Sequence, residues 1–423
     1  MGTFDIGACL LVLAAGIGLA NDRWFGIPRN MALLIGALLT ACLVILLDTS
    51  VFSGRGAEYW RDRIQRAQLS NVLLEGVLAL MLFASSMHVN LRELRDRAGS
   101  VALLATVGVI LSTLLFGLGF YALALLSGHA VPLIWCFVLG AILAPTDAVV
   151  VEGLLRRVRI PAFLRATISG ESLFNDGAAV VLFLAALAFA AGNPDVVGHG
   201  RLAMRIAKEV IGGALLGWLA GVAALYVVRG IKDCTLEVIV SLALALGAYR
   251  VAAAFDVSGP IAVVAAGLAF HAPRHNTEGA QLTIAWNVID DVLNTFLFLM
   301  MGFQLLAVNE GVVPLLLLPF AFLLALLARA LSVSVPILLL RLSSREKARG
   351  VAVLTWTGLR GGISIALAIT LPASPYRELL LAVGYGVVIS TILVQGLSVG
   401  RVLTLLYPHA PTRAPRPPAH PPG

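Results

Sequence analysis

Gly170-Glu171-Ser172-Leu173-Phe174-Asn175-Asp176-Gly177 runs directly into the unbroken apolar stretch Ala178 to Ala191. At about 100° per residue, Glu171 and Asn175 fall on one helical face a turn apart, and Ser172 and Asp176 pair on the adjoining face. Together they form one polar stripe leading into an otherwise apolar helix. A second reading makes 170–177 a surface loop ahead of that helix; the one-sided apolar flank favours the stripe. It places two carboxylates inside what would be a bilayer. A charge there costs about 2.5–3.5 kcal/mol even on the lower scales, so each calls for a partner, a watery cavity or a task.

Working outward, the same alternation recurs along the chain. Of 423 residues, 59% are hydrophobic and 13% charged, with a mean hydropathy of +0.95. A soluble domain is nearer one quarter charged, because its surface must face water. Apolar runs fall near 5–20, 31–47, 71–91, 99–126, 131–151, 165–191, 205–228, 235–255, 258–272, 284–308, 311–340, 350–371 and 379–405. Most reach the roughly twenty residues that a helix needs to cross the hydrocarbon layer. The expectation is an all-α polytopic membrane protein with about thirteen transmembrane helices. The first run begins almost at Met1 without a basic leader, and reads as a retained helix rather than a cleaved signal.

Thirteen crossings put the termini on opposite sides. With the N-terminus outside, seventeen basic residues, among them Arg92, Arg95, Arg156, Arg157, Arg345 and Lys347, fall on the cytoplasmic side. Six, including Arg55, Arg201 and Arg377, fall opposite. That bias predicts N-out and C-in in a plasma membrane. The segment 48–70 mixes Glu58 and Asp62 with arginines and fits an interfacial helix.

The formal charge of +7 does not point to nucleic acid, since the basic residues sit in short loops and form no track for a phosphate backbone. Cys9, Cys42, Cys136 and Cys234 are scattered, with neither metal-ligand spacing nor a disulfide framework. No HExxH, nucleophile triad or phosphate loop accompanies the intramembrane acids, so no enzyme and no bound cofactor is expected.

Two further polar strings lie in apolar runs. In Gly140-Ala141-Ile142-Leu143-Ala144-Pro145-Thr146-Asp147, Pro145 lacks an amide and clashes with the preceding turn, which interrupts the helix. Carbonyls freed beside Thr146 and Asp147 could ligate a small hard cation; alternatively the proline merely kinks a helix end and Asp147 caps the next segment. In Trp356-Thr357-Gly358-Leu359-Arg360-Gly361-Gly362, Arg360 keeps its proton at any physiological pH and needs a carboxylate or water. Snorkelling to the membrane edge is the alternative, but Arg360 lies deep in its run. The two interrupted spans are the fifth and the twelfth, so they cross in opposite directions, as an inverted repeat requires.

These strings together resemble the monovalent cation:proton antiporter-1 family, sodium/proton exchangers of the NhaP type. The stretch Trp286 to Gly302, with Asp290-Asp291 and Leu293-Asn294, and Leu91-Arg92-Glu93-Leu94-Arg95 add to the likeness, which covers roughly residues 5 to 405. The resemblance implies an inverted-repeat antiporter fold with two crossed, partly unwound helices. It implies a homodimer embedded in membrane lipid, each protomer holding a mobile core, here helices in 99–191 and 311–405, against a dimerisation scaffold. It implies that Asp176 binds the transported Na⁺ or a proton, beside Asn175, with oxygens from Thr146, Ser172 and Glu171. Glu171 would also pair with Arg360, and Asp147 would be a buried essential acid. Ala148 stands where many relatives carry proline. The implied activity is electroneutral exchange of Na⁺ or Li⁺ for H⁺, in support of pH and sodium homeostasis. K⁺/H⁺ exchange uses the same residue types, and a cation channel is the more distant alternative.

Overall fold

The computed structural model describes residues 3–51, 76–88, 98–147, 160–192, 201–231, 233–271, 277–303, 317–339 and 343–408. Every regular element among them is helical. In chain order they are α1 (Thr3–Ala20), α2 (Arg29–Val51), α3 (Leu78–His88), α4 (Ala98–Leu126), α5 (Leu133–Ile142), α6 (Ala162–Ala190) and α7 (Arg201–Val228). They continue as α8 (Cys234–Ala254), α9 (Gly259–His271), α10 (Thr277–Phe303), α11 (Leu317–Leu339), α12 (Ser344–Thr357), α13 (Gly362–Ile369) and α14 (Arg377–Leu406).

Eight helices among the described residues are long and apolar enough to cross a bilayer, and nine if α12 and α13 count as one bent span. In the other expected runs, α2, α3, α5 and α9 are further apolar helices among the described residues, and the runs at 71–91 and 131–151 continue into residues outside them. The interfacial helix expected at 48–70 lies, from residue 52 on, outside the described residues, as does Ala148.

Small residues set the closest helix contacts. On α7, Gly213, Gly217 and Gly221 face Ser258, Ala262 and Ala266 of the α9 segment, and a Cβ on Gly217 would run into the Ala262 carbonyl. Between helices in lipid, such close backbone approach supplies the van der Waals contact that the hydrophobic effect does not. Gly140 of α5 meets the backbone of Thr113 on α4 in the same way. α10 lies against α2, Gly302 facing Ala37, and is tied to α8 by the Trp286 Nε1–H bond to Ser241 Oγ, 2.9 Å.

The helix ends explain where the chain departs from regularity. α5 stops at Ile142 because Pro145 offers no amide to continue the ladder, and residues 144–147 have no helical structure. α12 starts on a capping box, with Ser343 and Glu346 each satisfying the other's backbone N–H. α12 and α13 meet at an angle of 51° across residues 358–361.

Candidate functional site

α6 carries Glu171, Ser172, Asn175 and Asp176 on one helix, as their spacing requires. Asn175 is fully buried and Asp176 is 8% exposed. Two bonds run from this face to the break after α5. Ser172 Oγ donates to the Thr146 carbonyl at 2.6 Å, and Asn175 Nδ2 donates to Thr146 Oγ1 at 2.6 Å. Asn175 therefore spends its donor on Thr146, and its Oδ1 is buried without a hydrogen-bond partner. An unsatisfied oxygen in that setting costs about 1–3 kcal/mol, and Asp176 is the next residue along the helix. Asp147 and Glu171 are close enough for their negative charges to act on Asp176. Oxygen, amide carbonyl and carboxylate are the ligand types a hard cation prefers.

The two interrupted segments touch. The Asp147 N–H donates to the Leu359 carbonyl at 2.7 Å, and the space beside Gly361 where a side chain would begin is taken by the Asp147 carboxyl. Asp147 itself is only partly buried, against the expectation of a buried acid.

Arg360 is 2% exposed, but it does not pair with Glu171. Its Nη1 donates to the carbonyls of Ala144 at 2.8 Å and Pro145 at 3.2 Å. These are carbonyls left without amide partners at the end of α5, where the helix presents its negative pole. The expectation that freed carbonyls at this break ligate the ion is corrected for these two, since a guanidinium already occupies them. Glu171 instead pairs with Arg329 of α11, which takes both carboxylate oxygens: Nη1 faces Oε1, and Nη2 lies 2.9 Å from Oε2. A bidentate fork engages the whole carboxylate and leaves little of it for Na⁺. Arg329 also reaches the Leu354 carbonyl of α12 at 3.4 Å, and its Nε fills the space beside Gly358.

Sequence reasoning missed Arg329. The signal was present, because a lone arginine stands well inside the apolar run 311–340, the same kind of anomaly that singled out Arg360. Among the described residues no three His, Cys, Asp or Glu side chains group as a resident metal site.

Residues 45–405 match the family described as "Sodium/hydrogen exchanger, transmembrane". The Na(+)/H(+) antiporter NhaP of Pseudomonas aeruginosa is 35% identical, the alignment covering 96% of this chain and 98% of its own. The Na(+)/H(+) antiporter NhaH of Halobacillus dabanensis is 31% identical over 76% of this chain and 79% of its own. Among solved structures, a sodium proton antiporter from Methanocaldococcus jannaschii superimposes with a TM-score of 0.73 at 17% identity, covering 94% of this chain and 97% of that one. That last likeness is one of fold.

Proposed function

The chain belongs to the sodium/hydrogen exchanger family, and from that premise we propose that it exchanges one Na⁺ for one H⁺ through the carboxyl group of Asp176. It is a secondary antiporter and not an enzyme. Asp176 holds either the metal ion or the proton, never both. Thr146, Ser172 and Asn175 complete the oxygen set, and Glu171 braces it from its pair with Arg329.

The observation that carries this reading is the buried Asn175 Oδ1 without a donor, on the residue adjoining Asp176. A cation between them would satisfy both. Because the neighbour of Asp176 is an amide rather than a second acid, one exchangeable charge serves the pair, and the exchange is electroneutral. Burial favours the uncharged form of a carboxyl group; an empty, ionised site is expensive to carry past an apolar gate. Those two facts make exchange obligatory without a covalent step.

The segments 143–147 and 358–361 are, in this reading, the two unwound stretches of crossed helices in a thirteen-span antiporter, with α4–α6 and α11–α14 as the moving core. The remaining helices form the scaffold on which a second copy of the chain docks in the plasma membrane, N-terminus outside and C-terminus in the cytoplasm. Curated relatives bearing the name Na(+)/H(+) antiporter support Na⁺ as the substrate cation.

The test is proton movement in vesicles carrying the purified protein, on adding Na⁺, Li⁺ or K⁺ in turn. Na⁺ and Li⁺ drive proton release in the wild type, and Asp176→Asn is folded and inert. An Asp176→Asn protein that still exchanges refutes the carrier role. Transport driven by a membrane potential alone refutes electroneutrality.

A further inference from the structure

The break between α12 and α13 leaves carbonyls that a continuing helix would have served. In an unbroken helix the carbonyls of Thr355 and Trp356 would accept from the N–H groups of Leu359 and Arg360. Here the Leu359 N–H turns back to the Thr357 carbonyl at 2.9 Å, and the Arg360 N–H goes to Thr391 Oγ1 at 3.4 Å. The two orphaned carbonyls are met from another helix. Gln395 Nε2 donates to Thr355 O at 3.1 Å and to Trp356 O at 3.4 Å.

Gln395 is 1% exposed. Its Oε1 is buried without a partner, as is Thr355 Oγ1. The side chain thus carries an unsatisfied acceptor into the core, and its two carbonyl contacts are all that offsets it. Thr391 and Gln395 both belong to the π-helical turn Thr391–Gly396 inside α14. Such turns are rare, and they are frequent at functional sites; two others, Asn21–Phe25 and Leu104–Gly108, occur among the described residues. The same turn abuts α2: a Cβ on Gly396 would lie 2.6 Å from Met31 Cε.

We propose that this π-helical turn is a positioning device for ion binding, with Gln395 standing in for the two missing backbone donors and Thr391 taking the Arg360 amide. Together they hold the break in the shape that lets Arg360 reach the Ala144 and Pro145 carbonyls and lets Leu359 accept from Asp147. That in turn keeps Thr146 in reach of Ser172 and Asn175, the neighbours of Asp176 on α6. Gln395 and Thr391 act through the break and touch no ion. The inference rests on the reading of Asp176 as the carrier.

The experiment compares Gln395→Leu and Gln395→Glu in the full chain, reconstituted in vesicles, reading the apparent KM for Na⁺, the maximal rate and the pH profile. Gln395→Leu raises KM about five- to tenfold, the scale of one lost buried hydrogen bond, with the maximal rate little changed. Gln395→Glu keeps the shape of the side chain but donates only when protonated. It shows the same defect in alkali and recovers towards the wild type as the pH falls. A side chain that merely filled space would give a Glu variant like the wild type at every pH. A wild-type KM in Gln395→Leu, or a Gln395→Glu defect that does not ease in acid relative to the wild type, overturns the proposal. If Gln395→Leu does not fold, Thr391→Val against Thr391→Ser decides: a raised KM in the valine variant alone supports the device, and equal behaviour of the two removes it. Asp176→Asn run in parallel separates the two readings. Exchange surviving there removes the carrier assignment, whereas an inert Asp176→Asn beside a normal Gln395→Leu removes only the role of the turn.

Discussion

Arg329 on α11 grips Glu171 on α6 with both ends of its guanidinium, and the same side chain reaches the α12 backbone at Leu354. Three helices are thereby joined at one buried charge pair. Removing the arginine strands an ionised or freshly protonated carboxyl group in the core, at a cost of about 3–5 kcal/mol. Arg329→Met is expected to lower the unfolding temperature of the purified protein strongly. Arg360→Met leaves Glu171 paired and is expected to lower it less. Thermal unfolding in detergent checks the order, and the reverse order would contradict the pairing.

Gly358 owes its identity to that arginine. A Cβ built there lies 2.6 Å from Arg329 Nε and 3.2 Å from the Leu354 carbonyl. Gly358→Ala is expected to destabilise by displacing the guanidinium, and to add little once Arg329 is already gone. Non-additivity in a double-mutant cycle with Arg329→Met is the measurement; simple additivity would mean that the methyl group clashes elsewhere.

Thr146 is held from α6 at two atoms, its carbonyl and its hydroxyl. Thr146→Val removes the acceptor for Asn175 and one oxygen from the proposed cation set. About a tenfold loss of apparent Na⁺ affinity is expected, while Thr146→Ser stays close to the wild type. Sodium-dependent proton release in vesicles reads both.

In the first turn of α12, exposed and ahead of the apolar run that begins at 350, the Ser343 hydroxyl and then its backbone N–H hold the Glu346 carboxyl below its ordinary range, with Arg349 adding to the effect. A lowered value in the folded state stabilises the fold above the unfolded value of about 4.3, and the contribution is lost as the pH falls through the folded value. Glu346→Gln is therefore expected to flatten the acid limb of unfolding temperature against pH, with the two proteins converging in acid. The group is exposed, so added salt shrinks the difference.

What could be read from the residues alone followed from the high cost of polarity in hydrocarbon. Glu171 to Asp176 sit on a helix because their spacing matches its turn, and Pro145 ends α5 for want of an amide. The partner of Glu171 could not be chosen by that logic, since Arg329 and Arg360 are both lone arginines in apolar runs. Which one arrives depends on how α11 and α12 pack, and Gly358 is where that packing makes room. The roles of Thr391 and Gln395 were invisible for a different reason: a π-helical turn shifts the face a residue presents, and regular periodicity points elsewhere.

The anchoring of Thr146 to α6 has a mechanical consequence. If α6 slides relative to α7 and α9, the segment 143–147 is towed along, and the proposed oxygen set stays assembled throughout the stroke. Nothing in the coordination sphere then has to be rebuilt on the far side.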